Sequence, residues 1–181
     1  MPDASHARRE LVLQALARYE GPLLSYAARL TGDADRARDA VQETFLRLCA
    51  RDAGALEGRL GEWLYAVCRN LCLDVLKKER PMTVASEDGL LERASAEPGP
   101  DAAAEASEGA SRVLRALAEL PANQREVLRL KFQHGLSYKE ISGVTRLSVT
   151  NVGFLIHVGL KSLRERLGEA AEAADMTGGA R

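Results

Sequence analysis

The stretch Ser137-Tyr138-Lys139-Glu140-Ile141-Ser142-Gly143-Val144-Thr145-Arg146-Leu147-Ser148 carries two helix starts separated by a turn. Ser137 and Glu140 read as a capping box, in which the hydroxyl and the carboxylate each satisfy an orphan backbone amide at the start of a short helix. That helix is predicted to end near Val144, Thr145-Arg146-Leu147 to form the turn, and Ser148 to cap a last helix running to about Leu167. Two helices joined by so short a turn, the second longer and polar on one side, have the layout of a DNA-binding helix-turn-helix, whose second helix enters the major groove by its N-terminal residues. Spacing alone fits a structural helical hairpin equally well, since short turns between helices are common in bundles. Charge favours DNA, because residues 111–167 hold 10 Lys+Arg against 4 Asp+Glu.

Working outward, Val113, Leu114, Leu117 and Leu120 predict an amphipathic helix ended by Pro121, and Val127, Leu128 and Leu130 a second, stopped by His134-Gly135. Before them, residues 81–110 carry one basic residue against seven acidic ones, with Pro81, Pro98, Gly99 and Pro100, and bury too little to offset chain entropy. They read as a flexible acidic linker between a first module, 1–80, and a second, 111–167. The tail 168–181 reads as disordered.

In the first module Leu11, Ala15, Leu16 and Tyr19 recur at helical spacing until Gly21-Pro22, after which Leu23, Leu24, Ala27 and Leu30 resume it, so two short helices are predicted. Asp33 is the expected N-cap of the next helix, which runs to about Ala50. Its apolar face is Ala37, Ala40, Val41, Thr44, Phe45 and Leu48, leaving Arg36, Asp39, Gln42, Glu43 and Arg47 toward solvent. A longer helix follows from near Arg59 to Pro81, with Leu60, Leu64, Val67, Leu71 and Val75 at core spacing. Trp63 and Tyr65 sit in its first turns, and Arg69, Asn70, Asp74, Lys77, Lys78 and Arg80 further along. Aromatics above basic and polar groups suit stacking on bases and holding phosphates, although a single Trp also serves as core.

Several classes are disfavoured. No run reaches the roughly 18 to 20 apolar residues that span a bilayer, and Met1–Glu10 has no apolar signal region, so an intracellular, cytoplasmic protein without membrane insertion is expected. Cys49, Cys68 and Cys72 are expected as buried thiols. Cys68 and Cys72 share a helix face, but zinc takes about four ligands and His6, His134 and His157 show no spacing to complete the set. No metal or cofactor is expected, and no catalytic site, since the chain lacks a Gly-rich phosphate loop, a nucleophile elbow and a paired-carboxylate motif.

The residues themselves carry a resemblance. Asp39-Ala40-Val41-Gln42-Glu43-Thr44-Phe45-Leu46-Arg47-Leu48 and Glu62-Trp63-Leu64-Tyr65-Ala66-Val67-Cys68-Arg69-Asn70 resemble conserved region 2 of bacterial ECF sigma factors. Leu120-Pro121-Ala122-Asn123-Gln124-Arg125-Glu126-Val127-Leu128 through Leu136-Ser137-Tyr138-Lys139-Glu140-Ile141 is similar to their region 4. The resemblance covers roughly 7–80 and 108–167. It implies an all-α chain in which a region 2-like helical bundle and a region 4-like helix-turn-helix are joined by the linker. The implied function is a transcription initiation subunit that binds core RNA polymerase, at the clamp of the largest subunit and at the flap, and directs it to promoter DNA. Control by an anti-sigma factor is also implied.

The same resemblance implies site residues. Asp39, Gln42 and Glu43 would dock the clamp; Trp63, Arg69, Asn70 and Asp74 would lie at the minus-ten element, with Lys77 and Lys78 on phosphates. Unstacking a base costs a few kcal/mol, which stacking and hydrogen bonds to the base edge must return, and Asn offers both donor and acceptor. At the minus-thirty-five element, Ser148, Thr150, Asn151, Phe154, His157 and Lys161 would face the groove and Lys139 and Arg146 the phosphates. Two features depart from the family pattern. Ser148–Leu160 has no Arg or Lys for a bidentate contact to guanine, so readout would rest on Asn151, the hydroxyls and DNA shape. Arg146 stands where many members have Gly, and Gly143 is a candidate for shifting the bend. A DNA-binding regulator that recruits no polymerase is the competing reading.

Overall fold

Asp33 starts the helix that organises the first half of the chain, its carboxylate accepting the amides of Asp35 and Arg36 at 2.9 Å each. Those bonds hold the Asp33 carboxyl below its ordinary pKa. The computed structural model describes residues 4–78 and 108–178. They form seven α-helices, with no strand among the described residues: α1 Ala4–Thr31, α2 Ala34–Cys49, α3 Leu60–Lys78, α4 Glu108–Ala118, α5 Ala122–Phe132, α6 Tyr138–Thr145 and α7 Val149–Gly178. One 3-10 turn, Ala53–Leu56, lies between α2 and α3. α1, α2 and α3 pack on one another, α4, α5 and α6 pack on α7, and α6 also lies along α3.

The buried face of α2 is Ala37, Ala40, Val41, Thr44, Phe45 and Leu48, as the periodicity predicts. α1 differs, because it runs unbroken through Pro22 where two helices are expected. Proline removes one backbone donor, but Gly21 and Pro22 lie on the exposed side, where water can take the freed carbonyl. Ala15 and Leu23, 1% and 0% exposed, are held in the core on both sides of the proline.

α3 is rotated from the expected register. Its buried residues are Leu64, Tyr65, Cys68, Arg69, Cys72 and Leu73, whereas Leu60, Val67, Leu71 and Val75 are half-buried. The reason is a second neighbour: α3 meets α1 and α2 on one side and α6 on the other. Cys49 is exposed, against expectation, while Cys68 and Cys72 are buried. A hydrogen bond with Cys68, together with burial, pushes the Cys72 thiol far above its ordinary range, which leaves it unreactive.

In the second half, the chain leaves α5 through Gly135 at φ +70°, with Leu136 N–H bonding Leu130 C=O at 3.0 Å. The capping box forms: Ser137 N–H donates to Glu140 at 2.7 Å and Glu140 N–H to Ser137 Oγ at 3.3 Å. α5 and α7 come close because position 159 is glycine, where a Cβ would lie 2.9 Å from Leu128 Cδ1.

Three expectations change. Residues 108–110, read as linker, open α4; the linker's remaining 81–107 lies outside the described residues, as does Arg80. α7 continues past Leu167 to Gly178, so 168–178 is helical rather than disordered, while 179–181 lies outside the described residues. The run Glu169-Ala170-Ala171-Glu172-Ala173-Ala174 explains it by helix propensity, with no apolar stripe needed. Finally, the bend of the helix-turn-helix is not moved to Gly143. Arg146 itself takes the left-handed conformation, φ 61° and ψ 15°. Ser142 Oγ donates to Leu147 C=O at 2.6 Å and Thr145 Oγ1 to Ile141 C=O at 2.7 Å, which over-determine the turn. An Arg146→Gly chain is expected to be about 1 kcal/mol more stable, because a left-handed residue costs L side chains more than glycine. Thermal unfolding checks this as a rise in Tm of about 2–4 °C.

Candidate functional site

On the outer face of α2, Asp39 and Gln42 are exposed, and Glu43 is half-exposed and accepts from Arg47 Nε at 2.8 Å. Leu46, outside the expected docking set, follows Asp39 and Gln42 at i+7 and i+4 and is 56% exposed. An apolar side chain ringed by polar ones on a helix face is the composition of a protein-binding hot spot. Its signal was legible: Leu46 falls outside the apolar stripe that defines the core face.

The residues expected at single-stranded DNA divide. Asp74, Lys77 and Lys78 are exposed on α3; Trp63 is half-buried, with the Arg51 guanidinium 5.5 Å from its ring centroid. Asn70 is half-buried and accepts from Arg146 at 3.4 Å, a long contact. Arg69 departs from expectation, being 3% exposed and facing the second half of the chain. Its Nε and Nη2 donate to the two carboxylate oxygens of Glu126 on α5, at 2.8 and 3.2 Å. Tyr26 O–H from α1 donates to the same carboxylate at 2.7 Å. Burial and the Glu126 charge raise the Tyr26 pKa well above its ordinary value, so the phenol stays a donor.

Beside this group, Tyr65 hydroxyl and His134 Nδ1 are 2.9 Å apart, and Tyr26 and Tyr65 meet edge to face at 5.4 Å. Burial, then the Arg29 and Arg129 charges, lower the His134 pKa to about 4, so the imidazole is neutral at pH 7. Burial likewise raises the Tyr65 pKa, so the phenol stays protonated beside the neutral imidazole. Glu126 and His134 were both missed as site residues. Their signal was faint, since α5 buries polar Arg125 and Glu126 beside Val127 and Leu128 and has no clean solvent face.

On α7, Ser148, Thr150, Asn151, Phe154, His157 and Lys161 are all exposed, while Val152, Leu155 and Ile156 are buried beneath them. Thr150, Phe154, His157 and Lys161 follow one another at i+4, i+3 and i+4, which makes a single stripe. Phe154 is 62% exposed. Ser148 Oγ accepts the Asn151 amide at 3.1 Å, so this hydroxyl is engaged as a cap. Lys139 and Arg146 are exposed as well.

The chain matches the Sigma-70 region 2 family model over residues 15–81 and the Sigma-70, region 4 model over 110–163. It is 33% identical over 131 residues to ECF RNA polymerase sigma factor EcfG of Rhodopseudomonas palustris (strain TIE-1), covering 72% of this chain and 70% of the relative. The chain belongs to the ECF RNA polymerase sigma factors. ECF RNA polymerase sigma factor SigW of Bacillus subtilis (strain 168) is 27% identical over 158 residues, 82% of this chain and 84% of that one. ECF RNA polymerase sigma factor SigL of Mycobacterium tuberculosis (strain H37Rv) is 32% identical over 154 residues, 81% and 83% respectively. The sigma factor is therefore a transcription initiation factor that binds core RNA polymerase and directs it to promoters; its region 2 match falls on α1–α3 and its region 4 match on α4–α7. Among the described residues no helix is long and apolar enough to cross a membrane.

The lowered pKa of His134 predicts that the stability of the sigma factor depends on pH. That pKa is lower in the packed state than in solvent, so the neutral ring's contribution is complete above about pH 6.5 and is lost as pH falls toward 4. The charged and titratable groups around it are Arg29, Arg129, Tyr65 and Tyr26. Between pH 7.5 and 5.0 the wild type is expected to lose about 2–4 °C more in Tm than a His134→Gln chain. Equal losses in scanning calorimetry would contradict this.

Proposed function

We propose that the two regions divide the work of promoter recognition. The face of α2 bearing Asp39, Gln42, Glu43 and Leu46 docks the clamp of the largest polymerase subunit, while region 4 docks the flap. Region 2, within residues 1–80, recognises and melts the minus-ten element: Trp63 stacks, Asn70 hydrogen-bonds a flipped base, Asp74 flanks it, and Lys77 and Lys78 hold phosphates. Arg69 reaches this strand only once it is released from Glu126. Region 4, beginning at Glu108, reads the minus-thirty-five element by the stripe Thr150, Asn151, Phe154, His157 and Lys161, with Ser148 at its start and Lys139 and Arg146 on phosphates. The chain has no catalytic role, acts in the cytoplasm and is held in check by an anti-sigma factor.

The observation that carries this reading is the exposed stripe on α7, where Thr150, Phe154, His157 and Lys161 share one solvent-facing side of a helix whose other side is core. Phosphate contacts supply affinity, and base-edge contacts supply sequence discrimination. The test is an Asn70→Ala chain assembled with core polymerase. Open-complex formation is expected to fall at least about tenfold, equivalent to about 1.4 kcal/mol, with affinity for core unchanged. Equal losses in both would contradict the division of labour.

A further inference from the structure

Phe154 is a large apolar side chain, 62% exposed, on a helix whose core side is already filled by Val152, Leu155 and Ile156. Thr150, one turn before it, and Asn151, three residues before it, are exposed as well. Ser148 Oγ accepts the backbone amide of Asn151, which leaves the side-chain amide of Asn151 outside that cap. From Ile141 to Ser162 the chain holds no Asp or Glu, so no carboxylate of this stretch repels a polyanion. From Ser148 to Leu160 it holds no Arg or Lys either.

In the major groove each base pair presents its own pattern of donors and acceptors, and thymine alone adds an apolar group, its C5 methyl. A phenyl ring carries no donor or acceptor. Seated against guanine O6 and N7, or against the cytosine amine, it would strip water from those atoms and return no hydrogen bond. Seated against a thymine methyl, it takes apolar surface out of water on both partners. The common bidentate contact to guanine has no Arg or Lys to make it in these turns. Asn151 instead offers one donor and one acceptor, the pair that matches adenine N7 and N6. It precedes Phe154 by three residues, about 4.5 Å along the helix, close to the roughly 3.4 Å rise of one base pair, so the two side chains fall on neighbouring pairs.

We propose that Phe154 sets the base preference of the minus-thirty-five element: its ring packs on a thymine methyl in the major groove, next to an adenine held by Asn151, so this chain selects A·T pairs where a recognition helix bearing Arg selects guanine. The inference rests on the proposed reading of α7 as the minus-thirty-five reader, and it adds the class of base that is read. Lys139 and Arg146 hold phosphates in any sequence and take no part in the choice.

The test uses the full chain assembled with core polymerase, and the organism's own promoter fragments randomised across the minus-thirty-five element. Selection by wild type is expected to enrich A·T pairs, with a thymine at the position that a Phe154→Ala chain no longer discriminates. Replacing that thymine by deoxyuridine removes only the methyl; it should weaken binding by wild type about fourfold, the worth of one buried methyl group, and leave binding by Phe154→Ala unchanged. A Phe154→Arg chain should enrich guanine at the same position. A guanine consensus for wild type, equal affinity of wild type for thymine and deoxyuridine, or a thymine that Phe154→Arg still selects overturns the inference and leaves α7 as the reader. No enrichment by wild type overturns that reading, and the base preference with it. Affinity for core alone, measured in parallel, should be the same for Phe154→Ala and wild type. A loss there assigns the ring to the polymerase and overturns the methyl contact.

Discussion

An Asp39→Arg, Gln42→Ala chain is expected to bind core RNA polymerase at least about a hundredfold more weakly than wild type, while its thermal unfolding stays within about 1 °C. Both side chains are exposed on α2, so their replacement disturbs no packing. The effect falls on the docked state: an acidic group becomes basic, and an amide beside the exposed Leu46 is lost. A hundredfold loss corresponds to about 2.7 kcal/mol, within reach of two central hot-spot positions. Fluorescence titration of labelled chain with core measures it. Undiminished affinity would move the docking surface off this face.

The second large effect is on stability. Leu64 is 0% exposed, on the helix that α1 and α2 pack against. Leu64→Ala is expected to destabilise the chain by about 3 kcal/mol, the lost transfer free energy plus the cavity left behind. That is a large fraction of the roughly 5–15 kcal/mol that holds a domain together. A fall in Tm of about 6–12 °C should appear in calorimetry, with loss of promoter opening near the upper growth temperature. A Tm within 1 °C of wild type would mean that α3 does not form the centre of region 2.

The fold was legible where local chemistry and burial agree. Asp33, the Ser137–Glu140 capping box and Gly135 each mark a helix boundary that the backbone adopts. The apolar stripe of α2 was readable residue by residue because the helix has one buried face. α3 was misread in register for the opposite reason: two neighbours bury it on two sides, and no periodicity announces the second. α1 crosses Pro22 because burial on both sides of the proline outweighs one lost hydrogen bond. The end of α7 was missed because an Ala-Glu run is helical by propensity without offering an apolar face.

The site was legible to the same extent. Exposed residues on α2 and α7 follow from pattern, since a helix with a known core face has a known solvent face. Arg69 was not, because its partner Glu126 lies 57 positions away on another region, and no local pattern encodes a contact between modules.

The central claim is that this chain lends core polymerase its promoter specificity. The most direct measurement is run-off transcription from the organism's own promoters, with purified core polymerase and with or without the full chain. The expected result is a set of discrete transcripts that appears only when the chain is present and disappears with the Asp39→Arg, Gln42→Ala variant. Transcription by core that is no more promoter-specific with the wild-type chain than without it would contradict the claim.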